Sequence, residues 1–436
     1  MMSESVLTIA IGVPLVLVSL VPYVVWMKKR DRRTLAAYEE AAVVGLNESP
    51  SLHPVIDPDV CIGSASCVTA CPEKNVLDVV EGRAKLIEAV SCIGHGRCFH
   101  ACPVEAISLV FGTAKRGVDI PHVSETFETN LPGIYIAGEL GGMGLIRNAV
   151  TQGAQAVSAI VNSGVRAKDG ALDVLVVGAG PAGLSAAMQA MSEGLSFACV
   201  DQGTFGGAIR QYPRRKLVMT QPFDIPMYGK VRAREMLKEE LLDVWTDAVD
   251  QCGLEVQTGR RVERIAREGD HYRVLTSAQM YLARHVILAI GRRGTPRRLG
   301  IPGEDLSKVT YGLLAPEQFR GLKSLVVGEG EAALEAACSL ANEPDTRVTL
   351  SYRGDRFTRP KVAIRERVDK LVAEGKVDVM FSSNPTRIDE HYVELAHDGS
   401  SRRLENDQVF VFAGGELPTR FLRETGVRVE TKFGTR

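Results

Sequence analysis

Two stretches of the chain carry cysteines at one spacing, and that spacing limits the fold more than any other feature. The first reads Cys61-Ile-Gly-Ser64-Ala-Ser-Cys67-Val-Thr-Ala-Cys71-Pro72. The second, Cys92-Ile-Gly-His95-Gly-Arg-Cys98-Phe-His-Ala-Cys102-Pro103, begins 31 residues later. Together they hold six of the nine cysteines. Cys199, Cys252 and Cys338 stand singly, as buried small hydrophobes usually do. A disulfide framework suits a small secreted domain, and this chain has 436 residues. Six clustered thiols in a chain of that length point to metal or cluster ligation.

Each motif resembles the bacterial ferredoxin run C-x2-C-x2-C-x3-C-P, in which the fourth cysteine serves the other cluster. The departure falls at the second ligand, where Ser64 and His95 stand in place of cysteine. By that resemblance one cluster uses Cys61, Cys67 and Cys102, with Ser64 in the remaining place. The other uses Cys92, Cys98 and Cys71, with His95. Three thiolates hold a three-iron cluster, or a four-iron cluster whose last iron takes oxygen or nitrogen. Histidine in such a place raises the potential. His95 has a glycine on each side and reads equally as a solvent-facing side chain. Loss of the clusters, with the cysteines kept as core, is the competing reading. Between the motifs, Val76–Ile87 reads as a hairpin turning at Glu81-Gly82.

Glycines are frequent, and they gather in strand-to-helix turns. Leu175-Val-Val-Gly178-Ala-Gly180-Pro181-Ala182-Gly183 is a buried strand entering a helix through G-x-G-x-x-G. Its glycines let the backbone approach a pyrophosphate at the positive end of the helix. Asp201 ends the next strand, where a carboxylate holds an adenosine ribose. A second unit, Leu325-Val-Val-Gly328-Glu-Gly330-Glu-Ala-Ala333, is followed by the strand Val348–Tyr352. That strand ends without an acid. Arg353, Arg356 and Arg359 come next and suit a 2′-phosphate. The fold class is therefore α/β, with two Rossmann-like three-layer domains, one inserted in the other, taking FAD and NADPH or NADH. A small α+β iron–sulfur domain completes it.

The connecting pieces resemble thioredoxin-reductase-like flavoproteins over most of 113–436. Val286–Gly291 looks like that family's crossing strand, and Gly300-Ile-Pro-Gly303 like its domain-entry loop. Val409–Thr419 resembles the strand returning to the FAD domain. The family's closing strand and helix should follow that return. Here the matching residues precede the first Gly-rich loop: Thr129–Glu139, then Gly144–Gly153. A circular permutation accounts for this order, and Phe111-Gly-Thr repeats at Phe433 as a duplicated junction would. The resemblance implies that Gly138 and Glu139 meet the ribityl or pyrophosphate part of FAD. The helix starting near Gly144, through Leu145 and Ile146, aims its dipole at the flavin. Gly206, Gly207 and Gly291 complete the expected cofactor contacts. No side chain is singled out as a catalytic acid or base. Thioredoxin reductase carries a C-x-x-C pair before its second Gly-rich loop, whereas Val309–Glu317 has no cysteine. Reduction of a protein disulfide is therefore not expected.

Ser5–Met27 has no charged side chain and is followed by Lys28, Lys29, Arg30, Arg32 and Arg33. That pattern predicts a single-pass inner-membrane anchor with the remainder in the cytoplasm, rather than a cleaved signal peptide. The expected parts are a transmembrane helix (5–27), a juxtamembrane helix and linker (28–55), and a ferredoxin-like domain (56–112). A permuted strand and helix (113–165), an FAD domain (166–295), an NAD(P) domain (296–408) and a return to the FAD domain (409–436) follow. With a net charge of −1 and no basic block, nucleic acid is not a partner. A redox protein or membrane electron carrier is the expected partner, and a homodimer is left open. The expected function is a membrane-anchored NAD(P)H-dependent flavin and iron–sulfur oxidoreductase. The alternatives are a small-thiol disulfide reductase resembling bacillithiol-disulfide reductases, hinted at by Phe205–Pro213, and a redox sensor.

Overall fold

The computed structural model describes residues 52–434 except 74, 75, 93, 95, 114–116, 143, 169, 213, 220, 221, 234, 293, 358, 359 and 398. It also describes 18, 20–22, 24, 25, 27–36, 38 and 39. The chain forms two compact units, one of residues up to Thr113 with the last three, the other Ala114–Phe433.

In the first unit the order is β1 (His53–Ile56), α1 (Ser66–Ala70), β2 (Leu77–Val80), β3 (Arg83–Leu86), α2 (Arg97–His100) and β4 (Ile107–Val110). β1 pairs antiparallel with β4, and β2 with β3. Glu81 and Gly82 both take positive φ, 53° and 73°, as a two-residue hairpin turn requires. The expected hairpin is therefore present. Residues 27–36, 38 and 39 are helical. Arg30 and Thr34 each bond the Asp78 carboxylate at 3.0 Å, and Lys85 lies 5.3 Å from the Tyr38 ring centre.

The anchor expected over 5–27, with its inner-membrane localisation and membrane partner, is corrected here. No helix among the described residues is long and apolar enough to cross a membrane. The described helical residues reach Lys28–Arg33 within a few turns, and charge there cannot enter hydrocarbon cheaply. Residues 1–17, most of the apolar run, lie outside the described residues.

The second unit is built on two large sheets, with smaller ones beside them. Its early elements are β5 (Val118–Pro121), β6 (Ile134–Ile136), α3 (Ile146–Asn162), β7 (Leu172–Val177), α4 (Pro181–Ser192) and β8 (Phe197–Val200). Then come α5 (Lys238–Cys252), β9 (Val256–Gln257), β10 (Val262–Glu268), β11 (His271–Thr276) and β12 (Met280–Leu288). The first sheet runs β9-β8-β7-β12-β11-β10, and β6 pairs parallel with β12 at Val286–Leu288. β7 is buried on both faces, as a central parallel strand must be. Val174 and Val176 pack toward α3, α4 and α5, while Leu175 and Val177 join Ile134, Ile136 and Leu288 on the opposite face. α4 is built of small residues, so α3 can lie close against it. A Cβ on Gly153 would stand 2.0 Å from the Ala182 carbonyl oxygen. The Ser185 hydroxyl donates across the same crossing to Val150 O at 2.7 Å.

The second sheet uses β13 (Val309–Thr310), β14 (Lys323–Gly328), β15 (Arg347–Ser351), β16 (Val377–Met380) and β20 (Gln408–Phe412) in the order β13-β20-β14-β15-β16. α6 (Glu331–Ala341) and α7 (Val362–Ala373) cover one face. A meander of β17 (Ser383–Ile388), β18 (Tyr392–His397) and β19 (Ser400–Glu405) covers the other. Gln408–Phe412, expected as a return strand, belongs to this second sheet because it pairs in parallel with Ser324–Gly328. β21 (Val429–Lys432) pairs antiparallel with β5. In the first unit Gly434 N donates to Phe111 O at 2.8 Å, and Gly112 and Gly434 take φ of 73° and 74°.

Candidate functional site

The cysteine loops shape the first site. A small cavity is lined by Cys61, Ser64, Cys67 and Cys102, with Ile56, Ile62, Ala84 and Ile107 around them. Cys102 thus joins the three first-motif positions, as the ferredoxin-like crossing of ligands expects. The backbone makes the room. Gly63 and Ala65 take φ of 69° and 59°, and Gly94 and Gly96 repeat this at 74° and 72° in the second motif. A Cβ on Gly63 would stand 2.2 Å from the Gly82 carbonyl oxygen, so only glycine lets the loop lie on the hairpin turn.

Backbone amides already point at two sulfurs. Ala84 N donates to Cys61 Sγ at 3.4 Å and Ala106 N to Cys102 Sγ at 3.3 Å. Such bonds tune a cluster's potential. The Cys67 thiol is pushed up by burial, with smaller contributions from Cys61 and Cys102 beside it. In the second set, burial first and then Cys92 push Cys98 up to about 12, with Cys71 adding less. Cys92 is likewise raised by burial and by Cys71. His95 lies outside the described residues. Among the described residues no three His, Cys, Asp or Glu side chains converge to hold a single metal ion. Zinc needs its sulfurs at about 2.3 Å, whereas thiolates of a cluster surround an inorganic core. The donor set fits clusters.

The second site is the first Gly-rich loop. Gly178 takes φ of 103°, and a Cβ on Gly183 would fall 1.7 Å from Gly178 O. Pro181 opens α4 and Ala182 is buried beneath the loop. Asp201 accepts from Ala179 N and from Gly203 N, each at 2.7 Å. Gly206 N donates to Ala179 O at 2.8 Å, and a Cβ on Gly207 would stand 2.9 Å from Gly180 Cα. Gly138 lies beside this loop despite its distance in sequence, because its Cβ would reach the Ala182 methyl at 3.0 Å. Glu139 follows it, with Gly144 close to the Glu139 carboxylate. α3 begins at Ile146 after Leu145, without a side-chain cap, so the positive end of its dipole faces the cradle's side of the loop. Gly291 takes φ of 65° after β12. These residues form a cradle that a dinucleotide fits.

Sequence reading missed two neighbours of this cradle. Gln152 Oε1 accepts from Gly138 N at 2.9 Å and fixes the turn. Arg292, its guanidinium held low by burial, faces Glu139 and Asp119. Gln152 sits in the recognised helix motif, so its polarity on a packed helix was the available signal. Arg292 carried none.

The third site is the loop Gly328–Ala333. Gly328 is extended, and its Cβ would stand 2.7 Å from Phe412 O. Gly330 precedes α6, and Ala333 is fully buried. Arg353 makes a two-point bond to Glu329, Nε to Oε1 at 2.6 Å and Nη2 to Oε2 at 3.1 Å. Arg356 lies 3.9 Å from Asp355, and Arg359 is outside the described residues.

Residues 175–434 match the family described as pyridine nucleotide-disulphide oxidoreductase, and 53–103 match a 4Fe-4S dicluster domain. A ferredoxin–NADP reductase of Thermus thermophilus is 32% identical over 255 residues, covering 56% of this chain and 72% of that protein. One from Ignicoccus hospitalis is 34% identical over 235 residues, covering 53% and 69%. A bacillithiol disulfide reductase structure from Bacillus cereus superposes with a TM-score of 0.53 at 24% identity, over 59% of this chain and 82% of that one. That likeness speaks for the fold alone.

Two dinucleotide loops, each following a strand with parallel neighbours, define a flavin- and pyridine-nucleotide-dependent redox enzyme. The chain belongs to the pyridine nucleotide-disulphide oxidoreductase family. It is an FAD-dependent NAD(P)H oxidoreductase that carries a 4Fe-4S dicluster domain.

Proposed function

We propose that this chain oxidises NADPH at its FAD and feeds the electrons to a redox-protein partner through two iron–sulfur clusters. The observation that carries this reading is the cavity in which Cys102 joins Cys61, Cys67 and Ser64. A cluster-holding cavity is hard to explain in a small-thiol disulfide reductase. When bound, FAD exchanges a hydride with the nicotinamide, and the clusters carry single electrons. The chain's own residues supply position and electrostatics. Gly178, Gly180 and Gly183 admit the pyrophosphate to the start of α4. Asp201 holds Ala179 N–H and keeps lone pairs for an adenosine ribose. The uncapped start of α3 offers positive partial charge to the flavin. Gly328, Gly330 and Ala333 would seat the nicotinamide nucleotide, with Arg353 and Arg356 toward its 2′-phosphate.

The FAD-binding part is, on this reading, circularly permuted. Its support is the place of β6 beside β12, of Gly138 beside Ala182, and of β21 beside β5. The family match begins at 175, yet the sheet takes in a strand from Ile134–Ile136. The paired copies of Phe-Gly at 111 and 433 point the same way. Domain limits at 56–112, 113–165, 166–295, 296–408 and 409–436 go with this proposal, the last boundary moving past Phe412.

Anaerobic titration of FAD-loaded protein with NADPH, followed by low-temperature EPR, tests the function. The flavin absorbance should bleach and cluster signals should rise together, with about six to eight irons per chain. Flavin bleaching with clusters that stay silent at every nucleotide level would defeat the proposal.

A further inference from the structure

In the first dinucleotide loop the second residue sits against the acid that ends the next strand, Ala179 N to Asp201 Oδ2 at 2.7 Å. In a Rossmann unit that acid meets the adenosine ribose. The second loop lacks such an acid. β15 ends in Ser351, whose hydroxyl is buried against Ser383 at 2.8 Å, and Tyr352 is buried among Phe357 and Phe381. The missing charge comes from the loop itself. Glu329, at the second loop position, places its carboxylate against Arg353 through two bonds, 2.6 and 3.1 Å long. The Glu329 side chain is 18% exposed and the Arg353 side chain 65%. A carboxylate suited to a ribose hydroxyl and a guanidinium suited to a phosphate are therefore locked to each other at one place.

The other loop carboxylates are also matched with cations, but differently. Glu331 meets Lys361 at 3.6 Å, and Glu335 on α6 meets Lys216 at 2.9 Å. Both partners are lysines, point charges without a fixed fork, although Lys216 Nζ reaches both Glu335 oxygens at 3.3 and 2.9 Å. Of these three carboxylates, Glu329 is the one whose two oxygens engage the planar fork of an arginine, the same geometry a phosphate would use.

We propose that Glu329 is a specificity-determining residue for the adenosine 2′ position. This rests on the nucleotide assignment made for the second loop. A 2′-hydroxyl donates to the Glu329 carboxylate and leaves the pair intact. A 2′-phosphate must draw Arg353 away from Glu329 and then sit close to that carboxylate. Glu329 thus restrains the preference for NADPH that Arg353 creates.

The test uses FAD-loaded protein, calorimetric binding of 2′,5′-ADP and of 5′-ADP, and the NADPH and NADH specificity constants. Glu329→Gln keeps the shape and removes the charge. It should tighten 2′,5′-ADP binding by about tenfold and leave 5′-ADP within about twofold, since each charge-assisted contact released is of that order. The ratio of kcat/KM for NADPH to that for NADH should rise by a similar factor, through KM. In an Arg353→Ala background the gain should shrink to about twofold, because the Arg353 guanidinium is no longer there to be released. Unchanged binding of 2′,5′-ADP, an equal change for both nucleotides, or a full gain without Arg353 would each overturn the inference. A wild-type protein that oxidises neither nucleotide would instead defeat the broader assignment.

Discussion

Replacing Gly183 by alanine is expected to leave the protein without FAD. The added Cβ would lie 1.7 Å from Gly178 O and 2.9 Å from its carbonyl carbon. Ordinary carbon–oxygen contact needs about 3.3 Å, so the loop has to move by well over an ångström. Both atoms struck belong to backbone, and no rotamer change relieves them. Gly178 itself sits at φ of 103°, tied by Gly178 N to Val200 O at 2.8 Å, so its carbonyl cannot swing freely. Overpacking of this kind costs about 1–3 kcal/mol or more, and every 1.4 kcal/mol is about a tenfold change in affinity. The loss falls on the pyrophosphate seat, since a displaced loop no longer presents its N–H groups at the start of α4. Flavin absorbance after gel filtration should drop at least about tenfold relative to wild type. NADPH oxidation should fall with it, while the iron content stays unchanged. A Gly183→Ala protein that retains a full complement of FAD would place the flavin elsewhere.

That loop was legible because its chemistry is local. Strand, glycines, helix and Asp201 lie within a span whose order is its geometry, and the structure joins Ala179 to Asp201 directly. The hairpin at Glu81-Gly82 was legible for the same reason, a turn type being fixed by two adjacent residues. The sharing of Cys102 with the first motif could be expected only through the ferredoxin resemblance. The Glu329–Arg353 bond, between residues 24 positions apart, left no trace in pattern or periodicity. Neither glutamate nor arginine is unusual alone, and their meeting depends on where β15 ends. Composition also misled at the N-terminus. An apolar run such as Ser5–Met27 has the content of a span, but spanning demands one helix of sufficient length, and none occurs among the described residues. Gly153 shows the reverse case. It sits in a recognised motif, yet its reason, a crossing in which a Cβ would meet Ala182 O at 2.0 Å, appears only once α3 and α4 are packed.

The cluster ligands give the other large effect, and its pattern crosses the two motifs. Cys67→Ala is expected to remove one cluster and about half the iron. Its cavity would keep two thiols and Ser64, too few donors for a cubane. Cys102→Ala should produce the same spectrum as Cys67→Ala although it belongs to the second motif, because Cys102 lines the cavity with Cys61 and Cys67. Cys98→Ala should abolish the other signal, and Cys71→Ala should match it, since Cys71 neighbours Cys92 and Cys98. Iron analysis and EPR after anaerobic reconstitution read both outcomes without relying on turnover. FAD content should be unaffected in all four variants, because the Gly178–Gly183 loop and Asp201 are held by the second unit's own sheet and helices. A local arrangement, in which each motif filled its own cluster, would instead pair Cys102 with Cys98 and Cys71 with Cys67. The two groupings cannot be confused, because each variant removes one signal and spares the other. The crossed grouping is the one the fold favours. Antiparallel pairing of β1 with β4 brings the end of the second motif back to the start of the first, where Asp57 N donates to Ala106 O at 2.8 Å. Cys102 is carried to Cys61 by that strand pair, so breaking the β1–β4 ladder should release the first cluster before the second.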